Sequence, residues 1–592
     1  MAGNDADHAA RITAGYTFEG PSIQLGAALV GGELHQGAAV RLPLAMMNRH
    51  GLVSGATGTG KTITLQVMAE QLSAQGVPVF LADIKGDLTG LSTPGTASEK
   101  LGKRTTSVGQ KWEPASFPVE YFSLGGDGVG VPVRATISDF GPLLLARVLD
   151  LNETQESSLQ LVFHYADRAG LELFNLADLR AVIGFLISDD GKPALQELGG
   201  LSKATAGVIL RELITLEAQG MDRFFGEPEF DTDDLLRTDT EGRGVINCLE
   251  LPTLQQKPQL FSTFLMWLVA DLFADLPEVG DIEKPKLVFF LDEAHLLFNG
   301  ASKAFLQSIQ TTVRLIRSKG VGIFFVTQTP RDVPAEVLGQ LANRVQHALR
   351  AFTPDDAKAL KSTVSTFPTS PYDLEEVLTS AGIGEAVVTV MNENGAPTPV
   401  AWTRMFSPTS TMGPSPATVV EGIVAASPLL AEYGTPIDSH SAYEKLSGSR
   451  DSGPVPRTTT TSGPRAGTDR SAGTDEGAGS EQDPGRGAPS ERRAPSQAEI
   501  DAEARRIEEE ILGRPSMRPP TAPRGDSAPQ RSHSGEGQSQ RTGTQPPAPP
   551  ASQQRQENRE MVDAALKVAG TIGVELVRGL FGTQRKRRRR RW

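Results

Sequence analysis

Two groups of residues in this 592-residue chain have the types and spacing that phosphate chemistry requires. The first is Gly55-Ala56-Thr57-Gly58-Thr59-Gly60-Lys61-Thr62. Glycines at these positions let the backbone curl with its N–H groups turned inward, a nest for a phosphate at the positive end of a helix. Lys61 is placed to reach the β- and γ-phosphates, and the Thr62 hydroxyl to take a position on Mg2+. The second group is Asp292-Glu293. Asp292 is suited to hold Mg2+, commonly through a water, and Glu293 to orient and deprotonate the water that attacks a γ-phosphate. A glycine turn that binds nothing and a polar strand end are the plain alternatives, and finding both groups in one chain weighs against each. The pairing implies binding of ATP with Mg2+, and the glutamate beside the aspartate points to hydrolysis.

Such residues need a sheet to position them. Gly51-Leu52-Val53-Ser54 reads as a buried strand, and Ile63 to Leu72 carries apolar residues at helical spacing, so the glycine loop sits between strand and helix. Leu287-Val288-Phe289-Phe290-Leu291, bounded by charge, fits a strand buried on both faces of a parallel sheet. Its carboxylates then stand at the C-terminal edge, where such sheets bind ligands. Residues 302–319 read as an amphipathic helix with Phe305, Leu306, Ile309, Val313 and Ile316 inward. Arg314 and Arg317 project elsewhere, either as a solvated face or as an arginine finger for a neighbouring subunit's site. Val321 to Thr327 is another buried strand, and Gln328 at its end is the choice for sensing the γ-phosphate or the lytic water, the alternative being a hydrogen bond to a loop. Arg344 is a further candidate to act in trans.

Composition limits the partners. Residues 1–406 hold 48 acidic against 32 basic side chains, and residues 407–592 hold 23 against 26. The first part therefore offers no broad basic face for duplex DNA, and any grip must be concentrated, as around a pore. Cys248 is the single cysteine, in an apolar run that reads as a buried strand, so neither an intrachain disulfide nor a cysteine metal site is available. No signal-peptide pattern and no apolar stretch of spanning length is present, and a cytoplasmic location is expected.

Taken together, GATGTGKT, VFLADIKGDL (79–88), LVFFLDEAH, RLIRSKGVGIFFVTQTP and LGQLANRVQHALRAFTP resemble the HerA/FtsK superfamily of P-loop ATPases over residues 10–406, and are most similar to the YjgR-like family of HerA-like proteins. The resemblance implies an α/β, RecA-like core with a mostly parallel sheet, working as a homo-oligomeric ring, usually a hexamer, with ATP sites between subunits. Its relatives include DNA translocases and the motors of conjugation and secretion systems. It also places Asp83 and Lys85 near the nucleotide, where the residues alone read as a strand-end charge pair. HerA's N-terminal β-barrel does not carry over, because only about 50 residues precede Gly51. Asp292-Glu293-Ala294-His295 also spells the DEAH helicase signature, but those enzymes need a second RecA domain with an arginine-rich closing motif, which this sequence lacks.

The expected organisation has five parts. Residues 1–137 hold an N-terminal β segment and the first half of the core. Residues 138–236 form an inserted helical subdomain, with helices over 140–149, 153–169, 175–187 and 203–219 and caps at Ser138-Asp139 and Asn152. Residues 237–406 complete the core and end in a hairpin whose turn is Glu393-Asn394-Gly395-Ala396. Residues 407–555, rich in Pro, Gly, Ser and Thr, read as a disordered tail with one transient helix at 497–512. Residues 556–592 combine an amphipathic helix with the Arg-rich end Arg585 to Trp592, suited to docking on the core, to DNA phosphates, to anionic lipid, or to solubility alone. Two functions fit: a ring-forming motor that moves or remodels DNA, and an ATP-gated scaffold whose tail recruits protein partners.

Overall fold

The computed structural model describes residues 2–447 apart from 198, 252–257, 281 and 299–302. Among these, twelve strands form one sheet: β1 (Ser22–Val30), β2 (Glu33–Pro43), β3 (Gly51–Ser54), β4 (Val79–Asp83), β5 (Val119–Leu124), β6 (Val131–Val133), β7 (Ile246–Glu250), β8 (Leu287–Leu291), β9 (Val321–Thr327), β10 (Asn343–His347), β11 (Glu385–Thr389) and β12 (Ala401–Met405). Their spatial order is β2-β1-β12-β11-β10-β3-β9-β8-β4-β7-β5-β6. From β10 to β6 every neighbouring pair is parallel. From β10 to β2 every pair is antiparallel.

The parallel strands read as unbroken apolar runs because both faces are covered. In β8, Leu287, Phe289 and Leu291 join one core cluster, while Val288 and Phe290 point into another. β9 divides in the same way, with Val321, Ile323 and Phe325 against Phe324 and Val326. The second cluster holds Leu65, Met68, Ala69 and Leu72 of the helix Lys61–Ala74. The first holds the apolar faces of the helices inserted before β7 and of the helix Lys303–Ile316. Each fully buried side chain of the Phe289 type contributes about 1.5–3 kcal/mol, so the sheet is held rigidly between its two covers. Cys248 is buried in β7, as expected.

Between β6 and β7 the chain forms the helices Ile137–Phe140, Pro142–Val148, Glu153–Arg168, Leu176–Leu186, Lys192–Glu197 and Lys203–Ala218. Asn152 forms a capping box with Gln155. The expected helix over 140–149 is corrected at its start. Thr136, not Ser138-Asp139, is the cap, accepting from the Asp139 N–H, and the chain breaks at Gly141 before restarting at Pro142. Proline is favoured at a first helical position, where no N–H is needed, so the Gly141-Pro142 pair restarts the helix. The terminal hairpin is present, with Glu385 opposite Arg404 and Val388 opposite Ala401. At the N-terminus the β1–β2 hairpin is preceded by a helix, Ala2–Gly15, which the expected β segment did not include.

A larger correction concerns the boundary at residue 407. Residues 407–447 pack on the core and include helices Ala417–Ala426, Pro428–Tyr433 and Ala442–Ser447. Val420, Leu429, Tyr433 and Ala442 are buried. The polar residues that suggested disorder are bonded across the fold. The buried carboxylate of Glu70, on the helix Lys61–Ala74, accepts from the N–H and hydroxyl of both Thr409 and Ser410. Gln66 donates to the Ser410 hydroxyl at 2.7 Å and the Thr411 carbonyl at 2.8 Å. The rest of the expected tail, its helix at 497–512 and the basic segment 556–592 lie outside the described residues. No helix among the described residues is long and apolar enough to cross a membrane.

Candidate nucleotide-binding and hydrolysis site

The parallel strands deliver the chosen residues to one edge. The loop Gly55–Thr62 leaves β3, Asp83 ends β4, Asp292 follows β8, Gln328 follows β9 and His347 ends β10. In the glycine loop, Gly55 has φ +153° and Gly60 φ +114°. A side chain at Gly55 would meet the Cβ of His347 at 2.5 Å, and one at Gly60 would press on Gly384 Cα at 3.2 Å. Both positions therefore require glycine for backbone shape and for close approach. Lys61 is buried at the helix N-terminus, with Nζ donating to the carbonyls of Gly55 at 2.7 Å and Ala56 at 3.2 Å. Burial lowers its pKa, while Glu293, Asp292 and Asp332 act in the opposite sense.

The rear of this loop is braced by residues that the sequence alone did not single out. His347 is fully buried; its Nδ1 lies 2.9 Å from the Glu385 carbonyl and its Nε2 2.9 Å from the Thr64 hydroxyl. A carbonyl only accepts, so Nδ1 carries the proton and the unprotonated Nε2 accepts from Thr64. Burial holds the ring neutral, with its pKa lowered to about 4. Ala56 N–H donates to the Ala348 carbonyl and Gly384 N–H to the Thr59 carbonyl, each at 2.8 Å. Arg104 in turn donates to the carbonyls of Gly384 and Met405. The antiparallel wing thus fixes the loop from behind.

On the other side stand the carboxylates. Asp292 Oδ1 accepts the Glu293 N–H at 2.9 Å, while its buried Oδ2 has no hydrogen-bond partner among the described residues. Burial pushes the Asp292 pKa up to about 6. A desolvated carboxylate oxygen with no donor is what a hydrated cation would satisfy, so the aspartate fits Mg2+. Glu293 has φ +47°, a conformation uncommon for a non-glycine residue, and its side chain is 9% exposed. Its Oε1 pairs with the Lys85 ammonium, and its Oε2 lies 3.2 Å from His295 Nδ1, close but not aligned for a hydrogen bond.

The structure separates the expected roles of Asp83 and Lys85. Asp83 does not face outward: its carboxylate accepts the N–H groups of Lys85, Gly86, Asp87 and Leu88 and so shapes the loop after β4. Burial raises its pKa in spite of those donors. Lys85 is the group this loop presents to the site. Gln328 is exposed immediately beyond β9, between the strands that carry the glycine loop and Glu293. Thr327 donates its hydroxyl to Asp332 at 2.6 Å, which sets that carboxylate near Lys61. Asp332 was another residue without a sequence signal, since its role depends on the turn after β9.

The arginines are dispersed. Arg314 and Arg317 are exposed near the end of the helix that precedes β9. Val313 there bonds His50, which precedes β3, so both arginines lie at the N-terminal edge of the strands, opposite this chain's own glycine loop. Arg344 lies in β10, with Nη1 bonded to the Thr366 hydroxyl and burial lowering its pKa. The fold sets the glycine loop, Lys85, Asp292, Glu293 and Gln328 at one edge of the sheet, while Arg314 and Arg317 lie at the opposite edge.

Comparison with known proteins gives the family. Residues 30–519 match the family described as Helicase HerA-like C-terminal. The DNA double-strand break repair helicase HerA of Saccharolobus solfataricus is 19% identical over 367 residues, 61% of this chain and 65% of that protein, so the chain spans less than two thirds of its length. Among solved structures, the plasmid coupling protein TrwB in complex with a non-hydrolysable ATP analogue is similar at 14% identity, with a TM-score of 0.46 over 69% of this chain and 94% of that one. VirB4 of Thermoanaerobacter pseudethanolicus is similar at 15% identity, with a TM-score of 0.38 over 67% of this chain and 98% of that one. The chain is a P-loop ATPase that belongs to the Helicase HerA-like C-terminal family.

Proposed function

We propose that this ATPase is Mg2+-dependent, assembles as a ring in the cytoplasm and drives movement or remodelling of DNA. The carrying observation is Glu293, held at the end of β8 beside Asp292 and one strand removed from the strand bearing the glycine loop. In this reading the loop N–H groups and Lys61 hold the β- and γ-phosphates, and Thr62 and Asp292 hold the metal. Bound Mg2+ supplies charge neutralisation at the phosphates. Glu293 takes a proton from the attacking water, and Gln328 orients that water. Arg314 or Arg317 reaches the site of the adjacent subunit, which supports a ring because neither reaches its own. Arg344 would first have to leave Thr366 and is the weaker candidate.

The experiment is ATP turnover with and without DNA at low salt, on the wild type and on Glu293→Gln. The variant should retain ATP binding and lose turnover. Normal turnover would remove Glu293 from its role. DNA should accelerate the wild type, in a salt-dependent manner. A turnover rate indifferent to DNA, with no DNA binding at low salt, would leave the ATP-gated scaffold as the function.

A further inference from the structure

The pairing of Lys85 with Glu293 sets a problem for hydrolysis. A glutamate that must accept a proton from water is occupied, in this arrangement, by a permanent cation. While the Lys85 ammonium holds Oε1, that oxygen is not open to the attacking water. The ion pair must therefore open before the glutamate can work.

The geometry points to which partner moves. Glu293 is anchored: its N–H is bonded to Asp292 Oδ1, its backbone holds a left-handed φ of +47°, and its side chain is 9% exposed. The Lys85 backbone is anchored as well, because Asp83 gathers the four N–H groups from Lys85 to Leu88. The Lys85 side chain is different. It is 37% exposed, and its flexible four-carbon stem carries the ammonium beyond the fixed loop. Lys61 stands close enough for the Lys85 charge to act on it. The space between these two lysines and Glu293 is where the end of a triphosphate held by the glycine loop has to lie.

We propose that Lys85 is an exchange residue: in the empty site it holds the Glu293 carboxylate, and a γ-phosphate draws its ammonium away, releasing the base only when a triphosphate is present. A terminal phosphate carries more charge than one carboxylate and offers three oxygens, so it competes successfully for the ammonium. A diphosphate, which lacks that group, leaves the pair closed. Lys85 then contacts substrate, and the same movement couples nucleotide recognition to activation of Glu293. This proposal rests on Glu293 being the hydrolytic base.

The test is calorimetric titration of the full chain with AMPPNP and, separately, ADP, in the presence of Mg2+. Lys85→Met should weaken AMPPNP about tenfold, the size of one lost charge-assisted contact, and ADP less than about twofold. Glu293→Gln removes the competitor for the ammonium and should tighten AMPPNP about threefold or more while leaving ADP unchanged. Equal weakening of both nucleotides by Lys85→Met, or AMPPNP binding no tighter in Glu293→Gln, overturns the exchange. Circular dichroism of each variant reports folding, and the glutamine variant tests the exchange with Lys85 intact. Failure of the hydrolytic reading has a different signature: a Glu293→Gln protein with normal turnover.

Discussion

His50 offers a quantitative test of how the sheet is held below the site. It precedes β3, has φ +57° and is 2% exposed. Its Nε2 lies 2.7 Å from the Val313 carbonyl and its Nδ1 accepts the Ile323 N–H at 3.0 Å, so one neutral ring joins the helix Lys303–Ile316 to β9. Burial lowers its pKa from 6.5 to about 4. Below pH 6.5 the unfolded chain takes up a proton at this residue that the folded chain refuses, so stability falls as pH falls and stops falling near pH 4. At about 1.4 kcal/mol per pH unit, the loss reaches about 2 kcal/mol at about pH 5. His50→Asn keeps an acceptor for Ile323 and tolerates the left-handed backbone, but it leaves the Val313 carbonyl without a donor, at a cost of about 1–3 kcal/mol. Buried carboxylates such as Asp83 and Glu70 have raised pKa values and act in the opposite sense, but they are common to both proteins and cancel in the comparison. Urea unfolding across this range should therefore find the variant less stable at neutral pH and level with the wild type near about pH 5. Stability curves that run parallel at every pH would refute the neutral, bridging histidine.

Removing the Glu70 carboxylate with Glu70→Ala should lower the urea midpoint and open residues 407–416 to limited proteolysis, because four donors at Thr409 and Ser410 lose their acceptor. Uncapped buried donors of this kind cost about 1–3 kcal/mol each, and unchanged proteolysis would show that the segment is held elsewhere. His347→Asn keeps a donor for the Glu385 carbonyl but loses the acceptor for Thr64, so KM for ATP should rise about three- to tenfold with kcat nearly kept. An unaltered KM would separate His347 from the loop. Mixing Arg317→Ala with Lys61→Ala protein should restore some ATPase activity if sites are shared between subunits, since some interfaces then pair an intact loop with an intact arginine. No recovery in mixtures shown to co-assemble would exclude Arg317 as the residue supplied in trans.

What was legible in the sequence was what depends on near neighbours. The glycine loop, the run before Asp292 and the hairpin turn at 393–396 are local patterns, and each fixes one backbone course. The inserted helices were legible for the same reason, and the one misplaced start came from Gly141-Pro142, where two short helices meet. The misses are non-local. His347 acts on Thr64 across 283 residues and Thr409 on Glu70 across 339, so neither segment shows its partner in its own composition. A Ser- and Thr-rich stretch looks disordered when its hydroxyls are counted as solvent-facing, and residues 407–416 are ordered because a buried carboxylate and a glutamine on the helix Lys61–Ala74 accept and donate to them. Asp83 and Lys85 were both placed near the nucleotide; Asp83 instead bonds the loop that follows it, and Lys85 meets Glu293.

The strand order explains why these residues, scattered over the chain, make one device. Adjacent strands lie about 4.8 Å apart, so β3 and β8, with β9 between them, set the glycine loop and Glu293 about 10 Å apart at the sheet edge. That gap matches a terminal phosphate plus the water that attacks it in line, and it is too wide for Glu293 to bond the loop directly. Gln328 rises from β9 in the middle of the gap, the position from which a side chain can touch both. Lys85 comes from β4, one strand farther out, so its ammonium meets Glu293 before it meets phosphate. A lysine on β9 would bind phosphate without passing the glutamate, and one on β7 would reach neither. In the proposed function, the order β3-β9-β8-β4 therefore sets the glycine loop, Gln328, Glu293 and the lysine paired with it side by side along one edge of the sheet.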